Sequence, residues 1–372
     1  MRGPQITGLA ATLPSTVPFV GPEAQERASG RAFVARLGAN ENAFGPSEAT
    51  LEAMRAAAAE VWKYGDPENH DLKWALAEFH HLAVDRIVVG EGIDALLGDL
   101  VRLFVAPGDP VVTSAGAYPT FNYHATGFGG VINFVPYRND HEDWEGLAEK
   151  AKSVGAKLVY LANPDNPMGT LLPPAAIIQM LEHLPDQTLL ILDEAYGEFA
   201  SSDHLLPMDF EHPNLIRMRT FSKAYGMAGA RVGYAVGPAQ IIGAFDKIRN
   251  HFGVNLVAQR GALAALKDQD HLQAVLHKNA AAKDRIAQIG QQNNLLALPS
   301  ATNFVCLDCS GLGVDAAQIL SALSDVGIFI RMPFVAPQNR CLRISTGPDA
   351  ALDLLGAALP DAIKVATART QK

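Results

Sequence analysis

Short segments that are apolar throughout, each followed by a stretch with helical periodicity, constrain the fold of this chain most. A strand that is apolar on both faces must be covered on both sides, and helices between such strands return the chain to one edge of a sheet. The pattern therefore predicts an α/β fold with a seven-stranded, mostly parallel sheet. The expected strands are Ile87–Val89, Val111–Thr113, Val131–Val135, Leu158–Ala162, Leu189–Leu192, Leu215–Met218 and Val232–Val236.

The order of patterns along the chain predicts an arm and two domains, which suits a length of 372 residues. Residues 1–45 contain scattered prolines and no sustained periodicity, so we expect an extended arm. Residues 46–255 hold the seven strands of a large domain, in which Asp71 is expected to cap the second helix. Residues 256–372 change to long helices and a few strands, which predicts a smaller α+β domain packed with the arm.

Charge and composition narrow the class of partner. Thirty Lys and Arg residues against 39 Asp and Glu give a net charge of −9, which disfavours nucleic acid and anionic membranes. No apolar run reaches the roughly 18 residues that a membrane span needs. The three cysteines form no disulfide framework, and the isolated Cys306–Cys309 pair gives no reason to expect a metal. A cytoplasmic enzyme acting on small molecules is the expectation.

Ligands of open α/β sheets bind outside the carboxyl ends of the strands, so the residues that follow each apolar segment carry the functional information. A nucleoside triphosphatase would need a Gly-Lys dipeptide in its phosphate loop, and the chain contains none. A dinucleotide-binding dehydrogenase is favoured by Gly90 and Gly92, but the next strand ends without the required acidic residue. The remaining hypothesis is a pyridoxal-phosphate enzyme.

Each part of a pyridoxal-phosphate site has a candidate at these strand ends. Lys223 offers the amine that bonds the cofactor aldehyde, and Asp193 offers the carboxylate that keeps the pyridine nitrogen protonated. Tyr118 is the candidate for stacking on the ring, with Phe121 or Tyr123 as alternatives. The candidates that hold the ring oxygen are Asn166 and Tyr196, and those that hold the phosphate are Gly92, Ile93, Asp94, Ser222 and Arg231.

The segment Thr220–Tyr234, TFSKAYGMAGARVGY, resembles the lysine signature of the class I and II aminotransferases, and it is most similar to their histidinol-phosphate aminotransferase branch. Met168 stands where that family usually has threonine. The resemblance implies pyridoxal-phosphate fold type I and a homodimer with shared active sites. It extends in family order over nearly the whole chain, through Leu37–Pro46, Tyr64–Pro67, Asn163–Gly169, Asp193–Tyr196 and Leu342–Ser345.

The resemblance also implies roles for residues that the strand ends do not explain. Tyr64 would reach the cofactor phosphate of the neighbouring subunit. Arg343 would hold the anionic group of the substrate, and Arg331 is a second cation of the kind that engages a substrate phosphate in this branch. Asn40 either anchors the arm or contacts the substrate.

The predicted activity is transamination between an amino donor and a 2-oxo acid, with histidinol phosphate and 2-oxoglutarate as the first choice of substrates. Two alternatives remain open. In the first alternative, the amino donor is an aromatic or other amino acid. In the second, the enzyme is a decarboxylase of the threonine-phosphate type, which needs no oxo acid.

Overall fold

Helices and strands alternate through the first two thirds of the computed structural model, which describes residues 3–15 and 20–370. Within these ranges the helices are α1 (Gly8–Thr12), α2 (Pro22–Ser29), α3 (Glu48–Ala58), α4 (His70–His80), α5 (Gly92–Phe104), α6 (Thr120–Gly127), α7 (Trp144–Val154), α8 (Pro174–His183), α9 (Ala239–Ala244), α10 (Leu256–Lys267), α11 (Gln269–Gln292), α12 (Ala316–Asp325) and α13 (Asp349–Thr370). The strands are β1 (Ala35–Arg36), β2 (Ile87–Gly90), β3 (Pro110–Ser114), β4 (Val131–Val135), β5 (Leu158–Ala162), β6 (Leu189–Asp193), β7 (Leu215–Thr220), β8 (Gly233–Val236), β9 (Leu296–Ala297), β10 (Phe304–Asp308), β11 (Ile328–Phe329) and β12 (Cys341–Ser345).

The seven predicted strands form one sheet, in the order β2-β8-β7-β6-β5-β3-β4. Strand β8 runs antiparallel to both of its neighbours, and the other adjacent pairs are parallel. The predicted fold class is therefore confirmed. The antiparallel direction of β8 was not evident from its sequence, because a buried strand is apolar whichever way it runs.

Alternate residues of the sheet pack against different helices. In β5, Leu158, Tyr160 and Ala162 belong to the core cluster that includes α5 and α6. Val159 and Leu161 belong instead to the cluster formed with α7 and α8. All five residues of β5 are buried, as the period-2 geometry of a strand covered on both faces requires.

The C-terminal strands and part of the arm share one hydrophobic core. Strand β10 pairs antiparallel with β12 and β9, while β1 of the arm pairs in parallel with β11. Ala35 and Leu37 of the arm are buried in the same cluster as Ile344 of β12. This pairing is consistent with the expected packing of the arm on the small domain, although residues 1–2 and 16–19 of the arm lie outside the described residues. The expectation of an extended arm is wrong over α1 and α2, because the Thr7 side chain caps the first helix and Pro22 is compatible with the first turn of the second. The domain boundaries stay a prediction.

The start of α4 differs from the expected cap. The helix begins at His70, and the preceding Asn69 has left-handed backbone geometry (φ 52°) without a side-chain capping bond. Asp66, rather than Asp71, supplies the oxygens that accept hydrogen bonds from the amides of Glu68 and His70. The chain turns back on itself before α4, and this brings an acid four residues upstream onto its first turn. Within the described ranges no helix has the length and apolarity to span a membrane.

Candidate active site

The parallel register brings three of the predicted loops to one point of the sheet. Asp193 is the last residue of β6, and it lies opposite Ala162 of β5 and Met218 of β7. The loop with Asn166 follows β5, and the loop with Lys223 follows β7. Because all three strands run the same way, their carboxyl ends place these loops side by side.

Asp193 is buried and held at both carboxylate oxygens. The phenol of Tyr160 donates a hydrogen bond to Oδ2 at 2.7 Å, and the amide of Ala195 donates to Oδ1 at 2.9 Å. Burial raises the pKa of Asp193, and these two hydrogen bonds together with the charge of Lys223 oppose the rise. The side chain is therefore a fixed acceptor whose protonation depends on its immediate partners.

Tyr196 links two of the predicted asparagines. Its hydroxyl oxygen accepts a hydrogen bond from Nδ2 of Asn40 at 3.0 Å and lies 3.5 Å from Nδ2 of Asn166. Asn40 belongs to the arm and has left-handed backbone geometry (φ 53°). Ser345 fixes the position of Asn40 with two hydrogen bonds of 3.0 Å. The serine hydroxyl donates to Oδ1 of Asn40 and accepts from the main-chain N–H of Asn40. The arm therefore contributes a polar side chain to the same cluster.

Lys223 points into this cluster. Its Nζ donates a hydrogen bond to the carbonyl oxygen of Asn40 at 3.1 Å and lies 5.6 Å from the centre of the Tyr196 ring. Burial and the positive charge of Arg343 lower the pKa of Lys223 to about 8. About one tenth of the amine is therefore unprotonated at pH 7, far more than at the ordinary pKa of 10.5, and this form is the one that a nucleophile or general base requires.

An anion cradle lies at the start of α5. Gly92 has a positive φ of 82°, which favours glycine, and a Cβ added there would lie 2.5 Å from Nη2 of Arg231 and displace the guanidinium. The side chain of Glu91, at the N-cap position, makes no capping hydrogen bond to this helix start. Nη1 of Arg231 donates to the hydroxyl of Ser222 at 3.3 Å, which joins a cation and a hydroxyl to the same place.

Asp94 lies in the first turn of α5, beside Ile93, and its negative charge faces a histidine. Nε2 of His124 lies 2.8 Å from Oδ1 of Asp94. The hydrogen bond with His124 lowers the pKa of Asp94, so the carboxylate stays ionised. The groups of Ile93 and Asp94 that suit an anion are therefore their main-chain amides and not their side chains.

Tyr118 lies in electrostatic range of both ends of the site. Burial raises the pKa of Tyr118, and the charges of Asp94, Asp193 and Arg231 also act on it. The alternative Phe121 is fully buried and stacks on the ring of Tyr160, with centroids 5.2 Å apart and planes 9° apart. Phe121 therefore packs against Tyr160, whereas the charges that act on Tyr118 belong both to the anion cradle and to Asp193.

Arg343 and Arg331 lie opposite each other on neighbouring backbone segments. Their main chains exchange hydrogen bonds of 2.7 and 3.2 Å. Nη1 of Arg343 donates to Oδ1 of Asn166 at 2.6 Å, and its buried Nε has no hydrogen-bond partner among the described residues. The guanidinium of Arg331 donates to the carbonyl oxygen of Val20. Burial lowers the pKa of both arginines, and the charge of Arg343 adds to the effect on Arg331. Two cations so placed favour an anionic ligand.

Tyr64 is the predicted site residue that the single chain does not bring to the cluster. Its side chain is 81% exposed, and its ring packs 4.8 Å from that of Phe252. Among the described residues, no group of three or more His, Cys, Asp or Glu side chains is arranged to hold a metal ion.

Two features of the site were missed by sequence reasoning. Tyr160 was counted as one more apolar strand residue, and nothing in the sequence places its hydroxyl on Asp193. Arg217 and Arg219 are buried in β7 and both pair with the buried carboxylate of Glu194. Two arginines at alternate positions of an otherwise apolar strand were the available indication, since they share one face and need a buried acid.

Known proteins that resemble this chain in sequence and in structure include aminotransferases in both cases. The family model for aminotransferase class I and II matches residues 34–359. A histidinol-phosphate aminotransferase of Moorella thermoacetica is 32% identical over 329 residues, covering 87% of this chain and 84% of the relative. One from an Anaeromyxobacter species is 35% identical over 352 residues, covering 92% and 95%. A crystal structure of histidinol-phosphate aminotransferase from Sinorhizobium meliloti in complex with pyridoxal-5'-phosphate aligns with a TM-score of 0.93 and 53% identity, covering 98% of both chains.

Proposed function

The chain belongs to the class I and II aminotransferase family, and we propose that it is a pyridoxal-phosphate-dependent histidinol-phosphate aminotransferase that uses 2-oxoglutarate as the acceptor. The observation that carries this proposal is the meeting of Lys223, Asp193 and Arg343 around one space at the carboxyl ends of the strands. The names of the curated relatives and of the Sinorhizobium meliloti structure support the choice of substrate.

The donor set fits pyridoxal phosphate at each of its polar groups. The cradle at Gly92, with Ser222 and Arg231, suits a phosphate, and the absence of a Cβ at Gly92 leaves room for Arg231 beside the helix start. Asp193 suits the pyridine nitrogen, and Tyr196 with Asn166 suits the ring oxygen. Tyr118 would stack on the ring. Bound there, the cofactor supplies an aldehyde that takes up the amino group and a ring that accepts electron density from the substrate carbon.

The chain itself supplies the proton transfers and the orientation. Lys223 is the general base: Nζ, unprotonated in part because its pKa lies at about 8, takes the proton from the α-carbon of the amino donor. The carboxylate of Asp193 would hold a proton on the pyridine nitrogen of the bound cofactor. Asn40 and Asn166 fix the Tyr196 hydroxyl from two sides, so that its oxygen stays in place during the transfer.

The two arginines account for the substrates of both half-reactions. A phosphate monoester carries nearly two charges, which suits the opposed Arg331 and Arg343. A carboxylate of glutamate or 2-oxoglutarate needs one planar fork, which Arg343 offers. An amino acid donor in place of histidinol phosphate would use the same fork and leave Arg331 with Val20. A threonine-phosphate-type decarboxylase would instead direct the substrate carboxylate toward cleavage.

An absorbance titration of the holoenzyme tests the function. Histidinol phosphate is expected to remove the visible band of the lysine-bound cofactor, and 2-oxoglutarate is expected to restore it. Borohydride reduction and peptide mapping should place the cofactor mass on Lys223. Loss of the band with another amino acid only would refute the substrate, and product formation without any oxo acid would identify a decarboxylase.

We further propose that the enzyme is a cytoplasmic homodimer in which Tyr64 completes the site of the partner. The exposed aromatic rings of Trp62 (83%), Tyr64 (81%) and Phe252 (53%) support a covered face. Mixing a Lys223→Ala variant with a Tyr64→Ala variant tests sharing. Hybrid dimers would hold one intact site and regain activity, whereas sites formed within one chain would regain none.

A further inference from the structure

The carboxylate of Asp193 has a buried phenol as one of its two hydrogen-bond donors. Tyr160 donates to Oδ2 at 2.7 Å, while the amide of Ala195 occupies Oδ1 at 2.9 Å. Tyr160 lies on β5, the strand next to the one that ends in Asp193. The contact therefore joins two neighbouring strands at the carboxylate that is assigned to the pyridine nitrogen.

The phenol of Tyr160 is held in this position by packing. Its side chain is fully buried, and the ring of Phe121 stacks on it with a centroid distance of 5.2 Å. Burial, with the negative charge of Asp193, raises the pKa of Tyr160 well above its usual range. The hydroxyl therefore keeps its proton and acts as a donor to the carboxylate.

We propose that Tyr160 is a positioning residue for the reaction, which holds the Asp193 carboxylate ionised and aimed at the pyridine nitrogen of the cofactor. This inference rests on the proposed function, since it assigns Asp193 to that nitrogen. In this role Tyr160 contacts Asp193 and acts on the cofactor only through that carboxylate.

The carboxylate of Asp193 and the pyridine nitrogen compete for one proton. Burial favours the neutral acid form of Asp193, and that form would draw the proton away from the pyridine nitrogen. A donor on Oδ2 stabilises the carboxylate, so the proton stays on the ring, where it is needed to draw electron density from the substrate carbon. The other charged or titratable groups that act on Asp193 are Lys223, Glu194, Glu142, Tyr118 and Tyr196.

Tyr160→Phe removes the hydroxyl and keeps the ring that packs on Phe121. We expect kcat to fall about tenfold to a hundredfold, the range for losing a hydrogen bond to a charged group. The KM for the amino donor should change little, because Tyr160 does not contact Arg343. Tyr234→Phe is the matched control. Tyr234 lies on β8 of the same sheet, and its buried phenol oxygen is 2.8 Å from Nε2 of His80 on helix α4. The control should retain kcat.

Two further measurements distinguish positioning from general damage. Infrared titration of the apoprotein, with Asp193→Asn to assign the carboxyl band, should give Asp193 a higher pKa in Tyr160→Phe than in the wild type. A cofactor analogue with carbon in place of the pyridine nitrogen should make wild type and Tyr160→Phe equally slow, because no ring proton remains to be held.

An unchanged Asp193 titration, or an undiminished effect of Tyr160→Phe with the carbon analogue, would overturn the proposal. A wild-type protein that lacks aminotransferase activity would refute the proposed function instead. The infrared titration of the apoprotein separates these two failures, since it needs neither cofactor nor substrate.

Discussion

Glu194→Gln removes one negative charge from a buried ion network behind the active site and is expected to destabilise the protein strongly. Oε1 of Glu194 accepts a hydrogen bond from Nη2 of Arg217 at 2.7 Å. Oε2 accepts from Nε of Arg217 at 3.0 Å and from Nε of Arg219 at 3.1 Å. The exposed fractions of the Glu194 and Arg217 side chains are 1% and 2%, so water cannot replace the lost charge.

The expected magnitude follows from the charges that would remain. In the wild type, Arg217 pairs with Glu194, and Arg219 pairs with both Glu194 and Glu198. Glutamine has the same size, so no cavity forms, but two guanidiniums are left with one carboxylate. Removing one partner of a buried ion pair costs about 3–5 kcal/mol of unfolding free energy.

The pH dependence of this loss has a definite sign. Burial alone would raise the pKa of Glu194, but Arg217 and Arg219 lower it below the usual 4.5. A carboxyl with a depressed pKa stabilises the folded state above its unfolded pKa, and this stabilisation is lost as pH falls through the folded pKa. The difference between wild type and Glu194→Gln should therefore be full at pH 7 and narrow only below about pH 4.5.

Urea unfolding of the holoenzyme at fixed protein and cofactor concentrations measures the difference through the shift of the midpoint. Glu48→Gln is the matched control, because Glu48 pairs with Arg55 at 2.6 Å but the two side chains are 66% and 64% exposed. An exposed pair contributes about 0.2–1 kcal/mol. A Glu194→Gln loss no larger than the control's, or a difference that persists unchanged in acid, would refute the electrostatic reasoning.

Three further predictions concern the site itself. Gly92→Ala should weaken cofactor binding by about tenfold or more, since its Cβ would meet Arg231 at 2.5 Å and its φ is 82°. A fluorescence titration measures this, and Gly229→Ala, with open space at its Cβ, should bind normally. Arg343→Lys loses the planar fork, so steady-state kinetics should show a higher KM for both the amino donor and the oxo acid; a rise for one substrate alone would contradict a shared cation. The rate of covalent cofactor uptake by the apoprotein should rise with pH and level off above about 8, where Lys223 loses its proton. A rate that does not change between about pH 6 and about pH 9, a range that brackets this pKa, would contradict the lowered pKa.

The strands and the residues at their ends could be predicted from the sequence because their causes are local. Leu158–Ala162 and Leu189–Asp193 are apolar throughout, and a strand buried on both faces needs that composition. Given parallel strands, the carboxyl-end rule brings Asp193 and Lys223 together without knowledge of any other contact. The glycine at position 92 was likewise identified by its place between a strand and a helix.

The partners of these residues could not be predicted, because they come from distant parts of the chain. Asn40 of the arm meets Tyr196 across 156 positions, and Arg343 meets Asn166 across 177. The expected cap at Asp71 was wrong for the same reason on a smaller scale, since a turn brought Asp66 to the helix start instead.

The α/β architecture and the residue types at the strand ends can be read along the chain, because hydrophobic periodicity and side-chain chemistry are local properties. The tuning of that chemistry depends on contacts that form only in the folded protein. Tyr160 reads as an ordinary strand residue until the pairing of β5 with β6 puts its hydroxyl on Asp193. Burial then shifts the pKa of Asp193 and of Lys223, and burial is a property of the folded chain rather than of any residue in it.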